Sequence, residues 1–302
     1  MKPFTIAIDT SCDLPPEYIE ENRIKVLPIP FILDGVEHKK GYWHEISAKG
    51  FYEALRNGGV ANTSQINPDS FVKSYTQDIE QGEDALYILL SSALSSTYHN
   101  SLVALDEVKS AHPGCNIFTV DSIGAIALVS LLVKLAVKKR DEGLSAAETA
   151  SLLEEKKHRI LGSVIVDDLM YLHRGGRLSK LSAVGGSILG IKPIISILPD
   201  GTLALKEKVR GREASLKLMV NQLKRSVSHD KTLDTVFISH SDCADDASKL
   251  ADMVRETVSV RQVELIPIGP VIGAHVGPGA VALVFEADMT RAEFESKYYS
   301  GK

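Results

Sequence analysis

The chain has 302 residues, long for one α/β domain and ample for two, each with its own core. Its 44% hydrophobic and 24% charged residues exclude disorder, collagen-like repeats and a disulfide scaffold. A formal charge of −5 offers no broad attraction to phosphate backbones, so nucleic acid is not an expected partner.

Three cysteines without a CxxC pattern argue for a reducing, cytoplasmic setting and against a cysteine-rich zinc site. The longest apolar run, Ile123 to Val137, is shorter than a membrane span and is interrupted by Ser130 and Lys134, so it reads as a buried helix. No transmembrane segment is expected, and any membrane contact is expected to be transient.

In chain order, short apolar runs at Phe4–Ile8, Val26–Leu33, Ala85–Leu90 and Ile117–Val120 read as strands. Helical patterns lie between them, at Asp69–Ile79 and at Ile123–Arg140, the second ending at Gly143. This β-α-β order predicts a parallel sheet of Rossmann-like type. Further on, Ile191–Leu198 and Thr202–Lys208 flank the turn Pro199-Asp200-Gly201 and predict a hairpin. Two amphipathic stripes follow, Leu216, Met219, Val220, Leu223, Val227 and then Ala247, Leu250, Ala251, Val254, Val258. With strands at Thr235–Ser239, Val263–Ile268 and Val281–Phe285, they predict a second domain whose mostly antiparallel sheet is flanked by helices. The expected division is 1–160 and 161–302.

Ligands of open parallel α/β sheets bind beyond the carboxyl ends of the strands. There the sequence places Asp9-Thr10-Ser11, Thr63-Ser64-Gln65, Ser91 to Thr97 and Asp121-Ser122. Hydroxyls with backbone N–H donors suit a single carboxylate or phosphate, although serines and threonines at such points also serve as ordinary helix caps. GxxxxGK[ST] and GxSxG are absent, and no GxGxxG follows the first strand, so neither a nucleotide cofactor nor a serine nucleophile is expected. No metal is expected at His240-Ser241-Asp242-Cys243, which lacks a second ligand cluster.

Arg174 and Arg177 flank the pair Gly175-Gly176, in a stretch that reads either as an anion contact or as a linker. Lys206, Lys208, Arg210 and Arg212 alternate along the end of the hairpin and read as one strand face, solvated or available to an acidic partner. Gly269 to Gly279 reads as a loop dense in glycine and proline around His275.

Together, Asp9-Thr10-Ser11, Thr63-Ser64-Gln65, Leu94-Ser95-Ser96-Thr97-Tyr98, Asp121-Ser122, Tyr171-Leu172 through Gly175-Gly176-Arg177, Ile191-Lys192-Pro193 and Gly273 to Gly279 resemble the DegV family nearly end to end. The resemblance implies a long-chain fatty acid buried between two domains, with its carboxylate presented to a separate ATP-binding fatty acid kinase subunit. By the same resemblance, Thr63, Ser64, Ser95, Ser96, Ile272, Gly273 and His275 form the fatty-acid site, and Ser96 stands where the family usually has glycine. Arg174, Arg177, Lys208 and Arg210 are the candidates for partner docking.

An acyl chain of ~16 carbons gains roughly 12 kcal/mol gross from desolvation, against about 1.5 to 3 for each hydrogen bond to a charged head. Ala183 to Ile197, Val271, Ile272 and Val281 to Leu283 are the apolar stretches expected to line the tunnel. The competing reading is a stand-alone phosphotransferase or hydrolase acting on a small acyl or phosphate substrate, using Asp9 or Asp121 with His275 as base.

Overall fold

The computed structural model describes residues 4–41, 44–177 and 190–299. In chain order the first part comprises β1 (Thr5–Asp9), α1 (Pro16–Glu21), β2 (Lys25–Leu27), β3 (Phe31–Leu33), β4 (Val36–His38), α2 (Ala48–Arg56), β5 (Ala61–Thr63), α3 (Pro68–Glu80), β6 (Ala85–Leu89), α4 (Thr97–Ala111), β7 (Ile117–Asp121), α5 (Ala127–Asp141) and α6 (Ala146–Lys156). A 3-10 turn at Lys157–Arg159 leads into β8 (Ile160–Ile165), α7 (Met170–Arg174), β9 (Ile191–Ile197), β10 (Leu203–Arg210), α8 (Arg212–Ser226), β11 (Leu233–His240), α9 (Ala244–Thr257), β12 (Val260–Pro267), α10 (Pro270–Val276), β13 (Val281–Glu286) and α11 (Arg291–Tyr299).

β2, β1, β6 and β7 form the expected parallel sheet in that order. A six-stranded sheet runs β10-β9-β8-β13-β11-β12, antiparallel except for the parallel pair of β11 and β12. β4, β3 and β5 make a small antiparallel sheet that brings Thr63 opposite Phe31.

The run Val26–Leu33 is two strands rather than one. Pro28 and Pro30 cannot donate to a ladder, and they fall in the break that sends β3 away from the parallel sheet. The helix expected from Ile123 begins only at Ala127, because Ile123 and Ile126 hold φ of +45° and +50°. Such angles are rare for β-branched residues. The expected loop at Gly269–Gly279 contains α10, with Pro270 in its first turn and Gly277 at φ +69° just past its end.

The hairpin face of four alternating cations is also corrected. A bulge between Leu205 and Glu207 breaks the register, and Lys206 turns to an ion pair with Glu295. Arg212 opens α8 and is held by Asp246, Asp167 and the Gly279 carbonyl. Lys208 and Arg210 remain exposed.

Helix α5 packs against strands of both large sheets. Its Leu128, Leu132 and Val133 share one core with Ile6, Ile88 and Val120 on one side and Phe237 and Val284 on the other. The amphipathic α8 and α9 close the opposite face of the six-stranded sheet, on Leu161, Ile165, Ile238 and Leu283. Among the described residues, no helix is long and apolar enough to cross a membrane.

Candidate functional site

Between the α5 side and the near face of the six-stranded sheet lies an apolar cavity with about 900 Å³ of space between atoms, its open mouth included. Alternation along β8, β9 and β13 turns Gly162, Val164, Ile195, Ile197, Ala282 and Val284 into it. Val281 and Leu283 point to the opposite core, so of the expected stretch Val281–Leu283 only Ala282 lines the tunnel. From the other walls come Leu90 and Ile126, with Val271 and Ile272 on α10. Ala183 to Leu189, also expected as lining, lie outside the described residues.

At the mouth the lining becomes polar, with Thr63, Ser64, Ser95, Arg177 and His275. Thr63 Oγ1 lies 2.8 Å from His275 Nε2. His275 Nδ1 is buried without a hydrogen-bond partner, and a Cβ on Gly175 would collide with it. A buried unpaired lone pair is tolerated better than a buried unpaired N–H. The fitting tautomer therefore carries its proton on Nε2 and donates to Thr63, leaving the Thr63 O–H free to donate to a ligand. Burial, assisted by the nearby Arg177 guanidinium, pushes the His275 pKa down to about 4, so the ring is neutral.

Ser95 sits just before α4, where its Oγ accepts from Thr97 N at 3.2 Å and shares a proton with Thr97 Oγ1 at 3.0 Å. Arg177 Nε donates to the Leu94 carbonyl at 2.9 Å, tying the segment after α7 to the loop that carries Ser95. Outside this mouth opens a polar vestibule, with about 840 Å³ of space between atoms when the adjoining open solvent is included, lined by Gln65, Ser92, Ser95, Ser96, Arg177 and Thr202. An apolar tube ending in hydroxyls and a guanidinium suits an amphiphile with a long tail and a small anionic head.

Residues 3–288 match the family model described as uncharacterised protein, DegV family. The chain belongs to the DegV family. A DegV domain-containing protein from Clostridium perfringens is 37% identical over 288 residues, covering 95% of this chain and 99% of its own. A Thermotoga maritima structure described as revealing fatty acid binding function superposes with a TM-score of 0.82 at 26% identity, over 94% of this chain and 99% of that one. The fatty acid kinase (Fak) B3 protein of Streptococcus pneumoniae, solved loaded with linoleic acid, shares the fold with a TM-score of 0.79 at 18% identity, over 94% of this chain and 99% of that one.

Set against the DegV resemblance, the structure gathers Thr63, Ser64, Ser95, Ile272 and His275 around one cavity. Ser96 is exposed on the vestibule, and its φ of −73° is open to any residue, so a serine at this position needs no glycine-like backbone. Gly273 does not line the cavity. It faces Phe51 and Tyr52 of α2, where a Cβ would come within 2.6 Å of the Tyr52 hydroxyl.

Arg177 stands at the mouth rather than on an outer docking face, whereas Arg174 is exposed with its guanidinium over the Tyr171 ring. Asp9 is fully buried and accepts from Ser11 N and Leu90 N. Asp121 accepts from Ser92 N and Ile123 N. Neither carboxylate lines the cavity with His275, so the expected pairing of Asp9 or Asp121 with His275 as base is not formed there. Sequence reading did not place Leu128, Gly162 or Val164 in the tunnel, and the short polar breaks in β8 were what hid that strand.

Proposed function

We propose that this DegV protein binds a long-chain fatty acid with its tail in the apolar tunnel and its carboxylate at Thr63 and Ser95. It then presents that carboxylate through the vestibule to a separate ATP-dependent kinase subunit. The observation that carries the reading is the tunnel itself, apolar along its length and hydroxyl-lined at one end. Desolvation of the tail supplies affinity, and the hydroxyls and Arg177 supply orientation. The vestibule gives a second protein a polar route to the head group, and the exposed Arg174, Lys208 and Arg210 offer it cationic contacts. In this reading the chain is a carrier without turnover of its own, built as two domains meeting near residue 160. Its three free cysteines suit the cytoplasm.

Extraction of the purified protein followed by mass spectrometry should release one fatty acid per chain. Thr63→Ala combined with Ser95→Ala should weaken retention by at least about tenfold, the equivalent of one lost hydrogen bond to a charged group. Charge reversal at Arg174, Lys208 and Arg210 should leave retention intact and lower acyl phosphate formation when a kinase subunit and ATP are added. Retention unchanged in the double variant would mean that the head group sits elsewhere.

A further inference from the structure

The six-stranded sheet presents two successive rows of side chains to the tunnel. Ala282, Val164 and Ile195 are cross-strand partners in one row. Val284 and Gly162 are partners in the next row, whose register runs on through Ile197 to Leu203, a residue that lines both the tunnel and the vestibule, so Gly162 stands two strands, about 9.6 Å, in from the vestibule wall and Val284 one strand deeper. On β8 this second row has a glycine, Gly162, where the first has a valine, Val164.

Leu128, from the first turn of α5, takes the space this glycine leaves. A Cβ on Gly162 would stand 2.9 Å from Leu128 Cδ1, and one on Gly124 would stand 2.7 Å from Leu128 Cβ. Leu128 is thus clamped between two glycines, lines the tunnel and is only 2% exposed. Behind it stand Leu132, Val133 and Phe237, all fully buried.

The clamp is held by a strained backbone, with Ile123 and Ile126 both at positive φ. Such conformations persist where the surroundings over-determine them. Three separate parts of the chain do so here. Ile126 N donates to the Ser11 carbonyl at 2.8 Å, Ser91 N to the Gly124 carbonyl at 2.9 Å, and Arg291 Nη1 to the Ile123 carbonyl at 2.6 Å.

We propose that Leu128 is the stop that ends the acyl tunnel, so that the side chains at positions 128 and 162 set the length of fatty acid selected. This rests on the fatty-acid reading above and adds to it a specificity-determining residue. Shortening residue 128 opens the inner end, and adding a Cβ at 162 drives Leu128 into the tunnel. The two changes act in opposite directions, which general loosening of the fold would not do.

The test offers the delipidated full-length protein an equimolar mixture of saturated C12, C14, C16, C18 and C20 acids and quantifies what is retained after gel filtration. Each methylene newly buried is worth about fourfold in affinity. Leu128→Ala should therefore raise the ratio of the next longer even-chain acid, two methylenes longer, to the preferred one by about 15-fold. Gly162→Ala should shift the distribution toward shorter acids, and Leu128→Val serves as the milder opening if the alanine variant does not fold. Distributions identical to the wild type, shifts in the same direction, or loss of all five acids from the variants while the wild type keeps them would overturn the stop. A wild type that retains none of the five would instead overturn the fatty-acid reading, and the stop with it.

Discussion

Two buried titratable residues give the protein opposing pH dependences. His275, with its pKa near 4 when folded, refuses a proton that the unfolded chain accepts below about 6.5. Stability is therefore lost as pH falls through that window, by up to about 3 kcal/mol. Asp13 behaves in the reverse sense. Burial raises its pKa to about 8, with Asp9 adding to the rise, and the nearby Gly269 N–H only partly offsets it because neither carboxyl oxygen has a well-formed hydrogen bond. The folded chain keeps a proton that the unfolded chain releases above about 4, so this contribution is lost as pH rises toward 8. Below pH 6.5 the two slopes oppose each other, and between 6.5 and 8 only Asp13 of the two still titrates. Thermal melts of the wild type should fall by a few degrees across that upper interval, and Asp13→Asn, which mimics the protonated acid, should flatten the decline. An unchanged slope in the variant would assign the effect to another group.

Among the elements, α10 holds the site together, and its glycines explain where sequence reading succeeded and where it failed. Glycine and proline density reads as a loop, yet Pro270 starts this helix and Gly277 stops it. Gly273, inside it, serves close packing on Tyr52 rather than flexibility. In the neighbouring α7 turn, Gly176 is required by its φ of +71°, whereas Gly175 has an ordinary φ and is small because His275 lies against it. One-dimensional patterning cannot distinguish these two reasons. It does capture β1, β6, β7, α8 and α9, whose apolar periodicity follows directly from burial on one or both faces. Thr63, Ser95 and His275 were legible as chemistry-bearing residues through the family's motifs. Their convergence depends on β5, which is three residues long, and on a bond between residues 212 positions apart. Gly175→Ala should displace the imidazole and weaken fatty acid retention while leaving the backbone undisturbed. Gly273→Ala should separate α10 from α2 at a cost of about 1 to 3 kcal/mol, measurable by urea unfolding, and should lower retention as well. Full retention in Gly175→Ala would remove the His275–Thr63 pair from head-group binding.

At the scale of the whole molecule, the two large sheets are coupled through shared material rather than by a flexible joint. α5 contributes to a core containing side chains from both sheets. Arg291 on the last helix donates to the carbonyls of Ile160 and Ile123, Tyr52 donates to Ile268 at 2.7 Å, and ion pairs join Arg56 to Asp242 and Lys134 to Glu264. The tunnel lies along this shared region, so a ligand in it contacts both halves at once. Opening either half alone would expose the α5 core and release the tail. Delipidated protein should therefore unfold in a single cooperative transition, monitored by calorimetry and by far-ultraviolet circular dichroism with coincident midpoints. Fatty acid present at 100 times its dissociation constant adds about 2.7 kcal/mol, which should raise that one midpoint by several degrees. Two separated transitions, with lipid shifting only one of them, would show that the halves fold independently and that the tail is held by one half alone.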